Sequence, residues 1–168
     1  MRRKILLLFL FFLIGGRMFA QEENYISLYL QNFTRYIEWP EDKRNGKFVI
    51  EVLGHASVYE KLKERMSGKK VNNQPVELRN YMEASEAGTP HIMFVGHWKS
   101  RQMPELLEQL GQQPTLIVTE KEGMIKKGAA INFVIREGKI NFEFNRDQAL
   151  ERGLRMSSRL NELGIAVE

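Results

Sequence analysis

Apolar and polar side chains alternate with a helical period between residues 24 and 38. At about 100° per residue, the apolar positions fall within one arc of roughly 140°, and polar side chains lie opposite them. The arc contains Tyr25, Ile26, Tyr29, Leu30, Phe33, Tyr36 and Ile37. Phe33 lies in the middle of the arc and is predicted to be in the core, whereas Tyr36 lies nearer the edge. Pro40 prevents the helix from continuing and biases Trp39 away from helical backbone. We therefore predict a helix over residues 24–38 that leaves Trp39 turned outward.

Short, almost continuously apolar runs alternate with helical segments through the middle of the chain. The predicted strands are 48–53, 76–81, 91–95 and 115–119. The predicted helices are 57–66 and 101–110, and residues 83–88 form a polar turn or a short helix. Ser57 is a good N-cap for the first of these helices. Apolar strands between helices indicate a largely parallel sheet that is covered on both faces.

The last third of the chain has a different pattern. Residues 129–135 and 139–144 alternate strictly around Glu137-Gly138, which predicts an antiparallel hairpin. Asn145 and Gln148 resemble a capping box, and we predict a last helix from there to about Leu163, ended by Gly164. Its apolar face would hold Leu150, Leu154, Met156, Leu160 and Leu163. The whole pattern predicts a single-domain, three-layer α/β sandwich with a mostly parallel sheet, an antiparallel C-terminal hairpin, and flanking N- and C-terminal helices.

The first twenty residues have the pattern of a secretory signal. Three basic residues, Arg2, Arg3 and Lys4, precede an apolar run over residues 5–14, and Ala20 is a suitable residue before a cleavage site. The apolar run is too short to span a bilayer. We therefore divide the chain into a signal peptide, residues 1–20, and one domain, residues 21–168. The domain is expected to be periplasmic and not inserted in the membrane after cleavage.

Removal of this segment changes the charge of the protein. Its four basic residues are taken from a total of 25 Lys and Arg, which leaves 21 against 21 Asp and Glu. A neutral domain lacks the charge excess typical of proteins that bind nucleic acid, so we expect no nucleic-acid partner. The chain contains no cysteine, which excludes disulfides, thiol chemistry and zinc–thiolate sites.

Catalytic motifs are missing from the sequence, and we expect that the protein is not an enzyme. It has no G-x-S-x-G, H-E-x-x-H, phosphate-binding loop or dinucleotide-binding glycine pattern. Its two aspartates, Asp42 and Asp147, lie in a turn and in the first turn of the predicted last helix, where an acidic residue complements the helix dipole.

Two buried strands each end in a Gly-His pair, Gly54-His55 and Gly96-His97. If the strands are neighbours, these pairs lie at the crevice where ligands bind in open α/β sheets, and Ser57 opens a helix N-terminus suited to an anion. The alternative is that each glycine permits a tight turn and each histidine is a surface residue. A metal held by His55 or His91 together with His97 lacks a suitably spaced third ligand, so we predict no metal and no cofactor.

Arginines line the other face of the predicted last helix. Glu151 with Arg155 and Arg159 with Glu162 have helical ion-pair spacing, which is typical of a solvated charged face. The alternative is a basic patch, including Arg152, that meets an acidic partner or ligand.

Several segments, taken in order, resemble the YfiR-like family. They are "YIEWP", "FVIEVLG", "PTLIVTEKEGM", "GAAINFVIREGKINFEFN" and "ALERGLRMSSRLNEL". The resemblance implies a small periplasmic regulator, without enzymatic activity, that acts in cyclic-di-GMP signalling. Such proteins bind the periplasmic sensor part of a membrane-bound diguanylate cyclase and hold it off, are sequestered by an outer-membrane-associated partner, and often dimerise.

The resemblance also implies where partners bind. The family's Trp-Pro motif corresponds to Trp39-Pro40, beside a partner-contact surface to which we add Tyr25, Tyr29 and Tyr36. The last helix would contribute Arg155 and Arg159, together with Ser157 and Ser158, and the end of the hairpin corresponds to Phe144-Asn145. The disulfides of some members, linked to redox control, cannot be present here.

Two alternatives remain open at this point. The membrane partner could be a sensor histidine kinase. The protein could instead be a solute-binding module whose crevice, formed by Gly54, His55, Ser57, Gly96 and His97, takes a small anionic or aromatic ligand.

Overall fold

The computed structural model describes residues 22–167, so the predicted signal peptide lies outside the described residues. The helices are α1 (residues 22–36), α2 (Ala56–Met66), α3 (Met103–Leu110), α4 (Arg146–Glu151) and α5 (Leu160–Leu163). The strands are β1 (Ile37–Glu38), β2 (Phe48–Leu53), β3 (Lys70–Val71), β4 (Gln74–Tyr81), β5 (Ile92–Val95), β6 (Leu116–Thr119), β7 (Ile131–Arg136), β8 (Lys139–Phe144), β9 (Arg155–Met156) and β10 (Ile165–Ala166). Short 3-10 turns occupy Glu41–Arg44, Ala84–Glu86, His97–Gln102 and Ile125–Lys127.

Eight strands form one sheet in the order β10-β8-β7-β6-β5-β2-β4-β3. In the segment β7-β6-β5-β2-β4, each strand is parallel to the next, whereas β8 is antiparallel to β7 and β3 is antiparallel to β4. The sheet has a hydrophobic core on each face, because side chains alternate along a strand. In β2, Ile50 and Val52 lie on the face covered by α1 and α2, and Leu53 lies on the face covered by α3. The predicted three-layer α/β sandwich with a mostly parallel sheet is thus confirmed.

The C-terminal hairpin is present with the predicted turn. Glu137 and Gly138 both have positive φ, 51° and 72°, which suits a two-residue turn that matches the twist of the strands. Strand β7 pairs with β6 only at Ile131 and Asn132, while all six of its residues pair with β8. The hairpin therefore extends beyond the end of β6.

An aromatic cluster joins α1 to this hairpin. Phe33 is buried, as predicted, and its ring centroid lies 5.1 Å from that of Phe142 and 6.1 Å from that of Phe133. Tyr29 joins the cluster from the same helix, 5.3 Å from Phe142. Edge-to-face aromatic pairs add to the apolar area that they bury, so this cluster fixes α1 on the sheet.

The predicted last helix is wrong. Residues 145–163 form two short helices, α4 and α5, separated by strand β9, and Gly153 ends the first of them with φ +71°. The expected apolar face does not exist, because Leu154 and Leu160 are buried whereas Leu150 and Leu163 are exposed. Arg152 is half-buried rather than solvated, and its guanidinium donates to the carbonyl oxygen of Gly111 at the C-terminus of α3.

The predicted end of the first helix is also wrong. Helix α1 ends at Tyr36, and β1 follows it and pairs antiparallel with β9. Side chains of extended backbone alternate, so Ile37 and Trp39 point inward and Glu38 points outward. Trp39 is only 4% exposed, and its indole N–H donates to the carbonyl oxygen of His91 at 3.2 Å. Trp39 is therefore a core residue and is not turned outward.

Candidate functional site

The two Gly-His pairs lie side by side at the carboxyl edge of the sheet. Strands β2 and β5 are parallel neighbours, with Leu53 opposite Val95, so the condition on which the crevice depended is met. The chain leaves β2 for β4 on one side, through α2, and returns to β5 on the other side. This reversal is the topological switch point of the sheet, which is the usual ligand-binding position in such folds.

Close contact between the two turns requires glycine. A Cβ atom at Gly96 would lie 2.8 Å from the carbonyl oxygen of Gly54, which is too short for a side chain. Gly54 itself has φ +70°, a conformation that favours glycine. The glycines thus allow the two strand ends to meet.

His55, rather than Ser57, caps helix α2. The helix begins at Ala56, and His55 Nδ1 accepts a hydrogen bond from the Val58 N–H at 3.4 Å. Ser57 is exposed and does not line the cleft described below. The predicted N-cap at Ser57 is therefore wrong, because the imidazole folds back over the first turn and takes that role.

Glu120 follows β6 and joins the two histidines. Its Oε1 atom accepts a hydrogen bond from the backbone N–H of His97 at 2.6 Å and lies 3.6 Å from His55 Nε2. Because His55 Nδ1 acts as an acceptor, the proton of the neutral ring is on Nε2 and faces this carboxylate. Burial raises the pKa of Glu120, and the nearby His55 opposes that shift. Our sequence prediction did not include Glu120, although its position directly after a buried strand matches that of the two Gly-His pairs.

A cleft of about 690 Å³ opens between these strand ends and the hairpin. Ile26 and Phe133 contribute apolar surface, and His55, His97 and Glu120 line it at the strand ends. The remaining lining residues are Glu22, Glu23, Trp98, Glu122, Val134, Ile135, Arg136, Ile140 and Glu143.

The cleft is acidic. Among the described residues, five carboxylates line it, and the only arginine or lysine is Arg136, which donates to Glu143 at 2.9 Å. This charge is opposite to that expected for a site that takes an anion. Within residues 22–167, no group of three or more His, Cys, Asp or Glu side chains has an arrangement that could hold a metal ion.

Two exposed apolar side chains, Trp98 and Ile135, line the cleft at its open side. Trp98 is 85% exposed and Ile135 is 64% exposed. An exposed tryptophan is informative because this side chain is usually well buried. Neither residue is among the predicted site residues.

The profile of the YfiR/HmsC-like family matches residues 25–165, from α1 to β10. The chain belongs to the YfiR/HmsC-like family. This match confirms the resemblance seen in the sequence. A search of curated proteins finds no match to the chain.

The partner-binding residues predicted for this YfiR/HmsC-like protein lie outside the cleft lining. Tyr25, Arg155 and Arg159 are exposed, while Tyr29, Tyr36 and Pro40 are half-buried. Trp39, as a core residue, presents almost no surface to a partner. Tyr36, the last residue of α1, lies beside the small β1–β9 sheet, because its carbonyl oxygen accepts a hydrogen bond from the N–H of Ser157. Arg155 lies in β9, opposite Glu38. The predicted residues therefore do not converge on one site with the Gly-His pairs.

No helix within residues 22–167 of this YfiR/HmsC-like protein combines the length and the apolar character that a bilayer crossing requires.

Proposed function

We propose that this YfiR/HmsC-like protein is an exported, non-catalytic regulator that binds the extracytoplasmic domain of a membrane-bound diguanylate cyclase and holds it inactive. The family match over residues 25–165 carries the proposal. The secretory pattern of residues 1–20 supports a periplasmic location, and the lack of catalytic motifs supports action by binding alone.

Exposed apolar side chains support protein–protein contact. Isolated surface apolar groups are common, but a largely exposed tryptophan beside a cleft is typical of an interface. Trp98 and Ile135 have this arrangement, and the exposed Arg155 and Arg159, four residues apart, offer a second surface. One of these surfaces contacts the sensor, and the other is available to a second copy of the chain or to a further partner.

Deletion of the gene tests this function directly. We expect intracellular cyclic-di-GMP to rise in the deletion strain and to return to the parental level when the chain is supplied with its own residues 1–20, but not when those residues are removed. The protein purified from the periplasm should begin near Gln21 by mass spectrometry. Unchanged cyclic-di-GMP contradicts regulation of a cyclase. Altered phosphorylation of a membrane kinase in the same strain then identifies the alternative partner.

The position of the cleft supports a second candidate function, the binding of a small solute. Glu120, His55 and His97 meet at the switch point, where small ligands bind in many α/β proteins. The acidic lining favours a cationic or aromatic solute over an anion. A thermal-shift screen of the purified protein separates the two functions: a solute-binding protein is stabilised by a small molecule in the absence of any sensor domain.

A further inference from the structure

Only one of the two oxygens of the Glu120 carboxylate accepts a hydrogen bond from the described residues. Oε1 receives the His97 N–H and faces His55, whereas Oε2 has no hydrogen-bond donor among residues 22–167. The side chain is 13% exposed, and Oε2 is not enclosed by protein, so a group that enters the cleft can reach it. A carboxylate oxygen in such surroundings is stabilised most by a charged donor, since hydrogen bonds to ionised groups are stronger than neutral ones.

The surroundings of Glu120 favour a cation from outside the domain. Glu22, Glu23 and Glu122 line the same cleft and add negative charge. The guanidinium of Arg136 is held by Glu143. A concave surface lined by one sign of charge concentrates its field, and therefore attracts an opposite charge at long range.

The rim of the cleft indicates that this cation belongs to a polypeptide. Trp98 offers an aromatic face that can stack on a guanidinium or an ammonium group, and Ile135 offers an aliphatic surface. Lysine and arginine bury their aliphatic stems along apolar surface while their heads reach a charge. A free small cation would use Glu120 but would leave the apolar rim uncovered.

We propose that the cleft binds a lysine or arginine side chain of the protein partner, with Glu120 as acceptor, with Trp98 against the basic side chain and with Ile135 against an apolar residue that flanks it. The identity of the partner as a membrane sensor rests on the proposed function, whereas the chemistry of the contact rests on the cleft alone.

Two peptides of equal length test the proposal on the exported protein purified from the periplasm. One is acetyl-Leu-Lys-Leu-Arg-Leu-amide, and the other has glutamate in place of both basic residues. We expect the basic peptide to bind at least tenfold more tightly, with a shift of the Trp98 indole N–H resonance in NMR spectra. Glu120→Gln keeps an acceptor for the His97 N–H but loses the charge. It should therefore lower the affinity for the basic peptide about tenfold or more.

Matched variants separate the contact from a general effect of charge or folding. Glu108→Gln removes the same charge from the exposed side of α3, outside the cleft, and should leave affinity within about twofold. Trp98→Ala should weaken binding of the basic peptide without changing the unfolding midpoint of the protein. Equal binding of the two peptides, or undiminished binding to Glu120→Gln, overturns the proposal. Free arginine that binds as tightly as the peptide also overturns it, because the site is then one for a small cation.

Complementation separates failure of this proposal from failure of the proposed function. Suppose that deletion raises cyclic-di-GMP and that the Glu120→Gln variant returns it to the parental level as fully as the unaltered chain does. The proposed function then stands and the Glu120 contact is wrong. If deletion has no effect while the basic peptide binds through Glu120, the contact stands and regulation of a cyclase is wrong.

Discussion

At the scale of single residues, the two tryptophans of this chain have opposite environments. Trp39 is 4% exposed and hydrogen-bonded to the His91 carbonyl, whereas Trp98 is 85% exposed. The sequence rule that Pro40 biases Trp39 out of a helix is correct, because α1 ends at Tyr36 and Trp39 is not helical. The inference that Trp39 therefore faces outward is wrong, because extended backbone alternates its side chains and Ile37 already points inward.

The tryptophans give a matched stability test. Trp39→Ala removes a core aromatic and should cost about 3–5 kcal/mol of unfolding free energy, as measured by urea denaturation. Trp98→Ala removes an exposed ring and should change stability by less than about 0.5 kcal/mol. Similar losses for the two variants would contradict their placement.

At the scale of elements, much of the fold could be predicted because the apolar pattern of each segment agrees with its final environment. Strand β2 and the hairpin match their predicted positions to within two residues. The region after Asn145 could not be predicted in this way. Its leucines have helical spacing, but β9 pairs with β1, which is more than a hundred residues away along the chain. The local spacing of apolar residues contains no information about a strand partner that is distant in the sequence. Here that strand pair replaces the middle of the predicted helix.

Gly153 distinguishes the predicted helix from the observed break. In a continuous helix, Gly153→Ala would stabilise the protein by about 0.5–1 kcal/mol. In the observed structure φ is +71°, and no atom lies within 4 Å of the added Cβ, so the cost is purely conformational. We therefore expect Gly153→Ala to lower the unfolding free energy by about 1–2 kcal/mol in urea titrations. Gly153→Asn is the control, since asparagine tolerates this backbone better, and it should cost less than alanine.

At the scale of the whole molecule, only part of the candidate site could be predicted. The Gly-His pairs were found because each ends an apolar strand, and the strand order brings them together. Trp98 and Ile135 were missed, because their roles depend on how far the hairpin reaches past β6 and on which surface stays uncovered. Glu120 was missed although it directly follows a buried strand, as the Gly-His pairs do. Exposure is a property of the assembled fold, and composition would place tryptophan and isoleucine inside.

The pH dependence of stability is also a property of the whole molecule, with opposing contributions. His91 is buried, its Nδ1 accepts from the Val49 N–H, and burial lowers its pKa below 6.5. The unfolded chain therefore binds more protons, and this contribution to stability is lost as the pH falls below about 6.5. The raised pKa of Glu120 contributes in the opposite direction. At pH values just above the ordinary carboxyl pKa, the folded state binds more protons than the unfolded chain, so this contribution to stability increases as the pH falls.

We expect His91→Gln to flatten the acid side of the stability curve. The measurement is the urea midpoint at several pH values between 7.5 and 5, and the quantity compared is the slope rather than the level. One group contributes at most about 1.4 kcal/mol per pH unit. His55, His97 and Glu120 are unchanged in the variant and cancel in the comparison. Parallel slopes for the two proteins would show that His91 does not titrate differently in the folded state.

The outer part of the hairpin has backbone support on one side only. Strand β7 pairs with β6 at Ile131 and Asn132, and beyond that point its backbone pairs only with β8. Ile135 lies three residues past Asn132, a distance of roughly 10 Å at about 3.4 Å per residue. Near the start of this part, the rings of Phe133 and Phe142 contact Phe33 of α1. We therefore expect a partner that presses on Ile135 to bend the hairpin near Asn132 and to shift its contact with α1.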